Sequence, residues 1–534
     1  MAEIENISFA SLPLKAGTRA YEAQDFRILY EQEYAEHQET KLELQRANDK
    51  ISYLESKVGK LEADIAYLKK LLFGQKSERS APAVSENPEA ETQSPKNHGA
   101  QEGHPGHGRK IPDHLPMQDH RHFIDPTDCY CRSCGMPFQE LNSEEISYEV
   151  TVEVRYLLFR HRRKKYKKSC RCPQPIVTSP GPLRLFEQGL YSMDFWIQVL
   201  VDKYAYGMPL TRQVVKMEAE GLEISCGVLA EGLLRAAPML KPLYELMKER
   251  IAFEKLVHGD ETRWWNWAGC YDTELQEKAR HWLWGFFSKS YHVFVIDASR
   301  GTGVIQNTLG QGEAKTVVPI LVADRWKPYQ KAGHMVAFCW SHVRRDFLKL
   351  QIQYPQDKEL VAWCDTWLAL IGDLYALNGL RLQHREDAAE FEAYQQQIRA
   401  VLDRMQGLMK ASYTRKPQIA QVQSMRNHWK GLTLFLEDPE IPLDNNLAER
   451  ALRTPVVGRK NFYGNHSDRG AEATAIFYSI LSTLKLHNIQ PKKFLKRFLT
   501  LCAQSRGRPI PPQTFEVFLP HRYASQFPED LTRS

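Results

Sequence analysis

Several things are scarce in this 534-residue chain, and each scarcity excludes something. No apolar run reads as long enough to cross a membrane, and no secretory signal opens the chain, so neither a membrane protein nor a secreted one is expected. Cysteine is scarce outside one stretch. Five of the ten fall between Cys129 and Cys172 and the other five are scattered singly, which suits a reduced cytosol with one metal module better than a disulfide scaffold. Charge is nearly balanced: Lys plus Arg exceed Asp plus Glu by 71 − 65 = 6. That excess allows a polyanionic partner without requiring one. From Phe26 to Leu72 there is no proline, and Gly59 is the only glycine.

That last stretch carries a heptad. Position a holds Leu44, Ile51, Val58, Ile65 and Leu72, and position d holds Ala47, Leu54, Leu61 and Leu68. β-Branched residues at a with leucine at d favour a parallel two-stranded coil. Lys50–Glu55, Lys57–Glu62 and Asp64–Lys69 would be attractive g–e pairs across it. A coiled coil over 25–73 and a homodimer or higher assembly are expected, followed by a flexible linker over 74–115 rich in Pro, Ser, Gly and Glu.

The next segment, 116–178, holds "CYCRSCG" and "KKSCRC". Cys131, Cys134, Cys170 and Cys172 form two close pairs of thiolates, a set suited to one structural zinc. The second pair is an unusually tight C-x-C, so Cys129, His120 and His122 stand as alternative ligands. Acids are missing altogether from Arg155 to Arg171, where nine Lys or Arg occur. Such one-signed density, centred on Arg162, Arg163, Lys164 and Lys165, suggests contact with a phosphate backbone. Segment 179–253 reads as helical. A turn at Gly221 and a cap at Ser225 give it helix-turn-helix spacing, which is also common in plain packing.

From Lys255 the pattern changes to strands. "KLVHGDETRWW" places Asp260 at a strand centre, "HWLWGFFSKS" and "YHVFVIDASR" follow, "GTGVIQNTLG" is a crossover helix, and "PILVADRWKPY" ends its strand at Asp324. "HMVAFCWSHVRRDF" is a fifth strand leading into a helix. This order is that of a ribonuclease-H-like α/β domain, in which the first and fourth strands are neighbours, so Asp260 and Asp324 would meet. Asp297 also ends a strand, but one expected farther from the pair. Glu261 should point to the opposite face by alternation. Trp264, Trp265, Trp267, Trp282 and Trp284 read as core. The core's first part, 254–348, is interrupted by a strand-free helical insertion over 349–440 and resumes over 441–475; a helical element over 476–534 closes the chain.

"LDNNLAERALR" opens the returning part. Asp444 or Asn445 can cap its helix, and Glu449 lies among the packing positions Leu447, Ala448, Ala451 and Leu452. Glu449 there needs a partner, either an arginine such as Arg345 or Arg453, or a metal. Three converging carboxylates repel one another, and divalent metal resolves this. Two Mg²⁺ or Mn²⁺ ions about 3.5–4 Å apart would suit phosphodiester chemistry. Arg450, Arg453, Arg459 and Lys460 would then face DNA.

"HGDET", "LDNNLAERALR" and "GRKNFYG", with "LLFGQKSER" after the zipper, resemble the DDE transposases of bacterial insertion sequences, specifically the IS66 family. The resemblance runs over nearly the whole chain. It implies Asp260, Asp324 and Glu449 as the catalytic triad, binding of terminal inverted repeats, 3′-end cleavage and strand transfer, a bacterial cytoplasmic location and, in some settings, accessory proteins. A zipper and zinc-finger regulator on an inactive scaffold and a structure-specific nuclease are the rival readings.

Overall fold

The computed structural model describes residues 154–166, 177–268, 280–310, 318–505 and 508–532, most of 34–58, and scattered positions between 117 and 150. Within 34–58 every described residue is helical and exposed. Leu44, Ile51, Leu54 and Val58 of the heptad are each about half exposed or more (62, 53, 46 and 52%), so this apolar stripe is not buried against the chain's own core. The later positions Leu61, Ile65, Leu68 and Leu72 lie outside the described residues.

The chain divides into two compact units, one of residues 78–181 with 214–224, the other of the remainder. In the first, β1 (Lys165–Tyr166) pairs antiparallel with β2 (Val177–Thr178). The alternating run before it, from Val154 to Lys164, forms no strand. In the second unit, α1 (Met193–Tyr204) is capped by the Ser192 hydroxyl. The boundary between units falls inside α2 (Leu210–Ala219). Gly221 takes the turn that follows, and the Ser225 side chain accepts from the Val228 amide to start α3 (Cys226–Ile251).

The sheet comprises β3 (Leu256–Trp265), β4 (Arg280–Phe287), β5 (His292–Asp297), β6 (Ile320–Ala323) and β7 (Val336–Phe338), in the order β5-β4-β3-β6-β7. The first three strands are antiparallel neighbours, whereas β6 joins β3, and β7 joins β6, in parallel. Parallel joins require crossovers, supplied by α4 (Thr302–Leu309) with the short α5 (Lys327–Gln330). α6 (Trp340–Gln353) follows β7.

A sheet edge left bare invites pairing with another chain. The β5 edge is covered by side chains. The amides of His292 and Phe294 donate to the hydroxyls of Thr483 (2.9 Å) and Ser479 (2.8 Å), and Tyr244 donates to the Phe294 carbonyl.

The 349–440 region contains no strand; it is built from α7 (Lys358–Gln383), α8 (Ala388–Lys410) and α9 (Lys416–Leu432). One expectation is corrected here. By length and composition α7 is apolar enough to cross a membrane. In the fold that apolarity is used for packing: Cys364, Trp367, Leu370, Ile371 and Leu374 are buried, with Trp367 stacked on Phe347 of α6. The same helix buries Arg381, which donates to Gln395 and to the Phe435 carbonyl.

The chain then returns to the sheet through α10 (Asn446–Phe462), α11 (Asp468–Leu486), whose Ser479 and Thr483 cover β5, and α12 (Pro491–Ser505). α10 ends at Tyr463 in the left-handed region, followed by Gly464 at φ 121°. A Cβ on Gly464 would stand 2.1 Å from the Trp265 carbonyl oxygen, so only glycine lets the chain close onto β3. Asn465 completes that closure by accepting from the Trp264 indole N–H (2.7 Å). The "GRKNFYG" stretch is therefore a splice between a helix end and a strand end.

Candidate active site

Alternation along β3 sorts its side chains onto two faces. A Cβ on Gly259 would come within 2.8 Å of the Tyr329 ring, and Glu261, two residues on, accepts from the Tyr329 hydroxyl (2.6 Å). His258 and Asp260 belong to the other face, where His258 meets Asn445 at the start of α10. β6 runs parallel to β3 with Val322 opposite His258. Carried on by two residues, that register sets Asp324 level with Asp260.

Asp260 is pushed up to about 7. Burial is the largest cause, followed by the Glu261 carboxylate and then by Asp324 and Glu449; the Glu261 amide, donating to Asp260 Oδ1 at 2.9 Å, opposes the rise. Both of the other predicted acids thus act on Asp260. Asp324 Oδ1 accepts from the Trp326 amide (2.9 Å). Asp297 instead accepts from the Ser299 amide on β5, which β4 separates from β3.

Glu261 has a different setting. Burial pushes its carboxyl up, but the Tyr329 hydroxyl and Arg300 pull it back. Arg300 reaches Glu261 Oε1 at 2.7 Å while its guanidinium lies between the rings of Trp282 (4.4 Å) and Trp326 (4.1 Å). Of the five tryptophans read as core, Trp264 and Trp284 are fully buried. The others are corrected to half-buried positions, Trp265 and Trp267 stacked on each other and Trp282 beneath Arg300.

Glu449 stands in the first turn of α10, half-buried, and pairs with Arg345 of α6 at 2.5 Å. The arginine of the two alternatives posed by the sequence is therefore present. His342, one turn earlier on α6, is held low by burial and by Arg345, against the opposing pull of Asp324 and Glu449. The capping expectation divides: Asp444 accepts from the Asn446 amide (3.1 Å), while the Asn445 side chain caps nothing and points to β3. Nothing in the sequence pattern separated these two roles.

Arg450, Arg453 and Lys460 are exposed along α10. Arg459 is half-buried at the same helix. It donates to Thr262 Oγ1 (2.9 Å) and to the Arg263 carbonyl, tying α10 to β3.

Oxygen donors of this kind suit a hard divalent cation. Among the described residues, however, no three acidic, histidine or cysteine side chains are gathered closely enough to hold a metal. The donor chemistry fits; bringing Glu449 into a shared coordination sphere requires it to leave Arg345.

In the smaller unit, Cys131 and Cys134 form a tight turn. The Gly135 amide donates to the Cys131 carbonyl (2.9 Å), the Cys131 amide donates to the Met136 carbonyl (2.8 Å), and Gly135 has φ 73°. Amides of Ser133 and Cys134 directed at Cys131 lower its thiol pKa. Cys170, Cys172, Cys129, His120 and His122 lie outside the described residues. Arg162, Arg163, Lys164 and Lys165 are exposed, and Arg163 also donates to the Ser179 carbonyl (2.6 Å).

Residues 188–473 match the family described as "Transposase IS66 family". The chain is also similar to three uncharacterized proteins of Sinorhizobium fredii. It is 26% identical to y4hP over 74% of this chain and 75% of that one. It is 25% identical to y4jD over 82% and 89%, and 25% identical to y4qI over 68% of each.

Proposed function

The chain belongs to the IS66 transposase family, and from that premise we propose that it binds the terminal repeats of its element, cleaves their 3′ ends and joins them to target DNA. Membership implies a nucleic-acid-processing enzyme with DNA as its partner. The observation that carries the finer reading is that Asp324, just past β6, and Glu449, on α10, both act on the buried Asp260 of β3. The strand order, with β6 parallel to β3, supports a ribonuclease-H-like catalytic core.

Asp260, Asp324 and Glu449 would hold divalent magnesium or manganese, which supplies Lewis-acid stabilisation of the phosphodiester oxygens. The chain's own residues do the rest. The Glu261 and Trp326 amides orient the two aspartates. Exposed Arg450, Arg453 and Lys460 present positive charge for phosphates along α10. In the smaller unit, Arg162, Arg163, Lys164 and Lys165 offer a second, sequence-blind phosphate contact braced by zinc at Cys131, Cys134, Cys170 and Cys172. The exposed heptad stripe supports pairing of two chains, which would bring two transposon ends together.

The test is single-turnover cleavage of DNA bearing the element's own ends, with and without Mg²⁺ or Mn²⁺. Cleavage should require the metal and collapse in Asp260→Asn, Asp324→Asn and Glu449→Gln while end binding persists. End binding with no metal-dependent cleavage in the wild type would favour the regulator reading instead.

A further inference from the structure

We propose that Asn445 is the positioning residue that sets Glu449 against Asp260. The inference rests on reading these two acids as one site. Asn445 is 1% exposed, all four of its polar groups are engaged, and its side chain makes no cap bond. Its Nδ2 donates to the Gly259 carbonyl at 2.8 Å, at the peptide bond that leads into Asp260. That bond orients the amide, so Oδ1 faces His258 Nδ1 (2.8 Å), which must then carry the proton. The Asn445 amide donates to Cys339 Sγ (3.2 Å), just before α6, the helix that carries Arg345. Its carbonyl accepts from the Glu449 amide (3.2 Å), one helical turn on.

One side chain thus grips the backbone beside Asp260, and the same residue's main chain starts the turn that bears Glu449. A second tie, from the Trp340 amide to the Leu443 carbonyl (2.8 Å), keeps α6 and this loop together. Catalytic constellations tolerate about 0.5 Å of slack, and helix propensity alone does not deliver that. Capping does not account for the Asn445 side chain, which stands at the N-cap yet makes no cap bond.

The experiment is calorimetric titration of Mn²⁺ alone into full-length wild type, Asp260→Asn, Asn445→Ala and Asn465→Ala, with thermal unfolding and metal-free binding to terminal DNA measured on the same preparations. Asn465 is the control, another buried asparagine that splices the other end of α10 to β3. Asn445→Ala should bind Mn²⁺ at least tenfold more weakly while binding DNA ends as wild type does. Asn465→Ala should lose thermal stability yet keep its Mn²⁺ affinity. If Asn445→Ala does not purify folded, Asn445→Leu, which keeps the branched heavy-atom skeleton without the side-chain polar atoms, is read the same way. Wild-type Mn²⁺ affinity in either Asn445 variant, or an equal loss in Asn465→Ala, overturns the assignment. Should wild type and Asp260→Asn titrate alike, the acid site itself is wrong, and the inference falls with it.

Discussion

Asp260 and Glu261 are adjacent on β3, yet the two faces of that strand treat their acids in opposite ways. On one face Glu261 is 1% exposed and fully provided for, with a guanidinium at 2.7 Å and a phenol hydroxyl at 2.6 Å. On the other, among the described residues, neither Asp260 nor Asp324 has an ion pair, and Asp260 is pushed up to about 7 by burial and by its acidic neighbours. A buried acid kept for structure is normally given a cation and hydrogen bonds, because the charge is costly otherwise. Withholding the cation from a pair of converging aspartates, each left with a backbone amide donor, leaves a site whose charge balance an outside cation would complete. The difference teaches that burial alone does not distinguish a structural acid from a functional one. The identity of its partners does.

The largest test of this contrast exchanges one oxygen for nitrogen on each face. Asp260→Asn should lower single-turnover cleavage by roughly a thousandfold or more, about 4 kcal/mol of transition-state stabilisation, with the melting temperature unchanged or raised. Glu261→Gln should do the reverse. It strips a partly buried Arg300 of its counter-charge and should cost about 2–4 kcal/mol of stability, with the folded fraction still cutting DNA. Loss of cleavage in a stable Glu261→Gln protein would erase the distinction between the faces.

A smaller effect appears in pH. Asp260 lies near 7 in the fold but near 4 when the chain is unfolded. Between those values the folded chain keeps a proton that the unfolded chain has released, so this group costs stability progressively as pH rises from about 4 to about 7. Relative to Asp260→Asn, the metal-free wild type should lose about 2 kcal/mol between pH 5 and 7.5, read from paired melts. Glu261 shifts in the same direction and contributes a slope of its own that Asp260→Asn leaves in place. Mn²⁺ should oppose the Asp260 slope, since it binds the ionised acid that higher pH supplies.

What was legible in the sequence follows the distance over which each signal acts. Asp260 could be placed at a strand centre because the apolar pattern around Leu256 and Val257 is local, and β3 does lie beside β6 because strand order restricts topology. The partners of Glu261 were not legible, because Arg300 and Tyr329 reach it from 39 and 68 residues away. Arg345, one of the candidates the sequence offered, reaches Glu449 across 104 residues and an entire helical insertion. Asn445 was hidden for a different reason. Asparagine before a helix is explained locally by capping, and that sufficient explanation concealed a residue bonded across the sheet. The bond from Arg459 to Thr262 was hidden similarly, since a basic residue near a basic turn gives no sign that a donor is used on β3.

Arg345 is where the two faces come closest to resembling each other, and its removal is the finest test. It gives Glu449 the cation that Asp260 and Asp324 lack, at 2.5 Å, with the arginine 41% and the glutamate 29% exposed. A pair that open contributes at most about 1 kcal/mol, so Arg345→Met should leave the melting temperature nearly unchanged. Its consequence should appear in metal binding. If the guanidinium occupies Glu449 in place of a metal, removing it frees a ligand and takes a positive charge away from the site. Mn²⁺ affinity should then rise, by about three- to tenfold once solvent screening is allowed for. The rise must vanish in a Glu449→Gln background, because the two changes act through one carboxylate. A fall in Mn²⁺ affinity would mean that Arg345 holds Glu449 in position, which would make its face of the strand as structurally provisioned as that of Glu261.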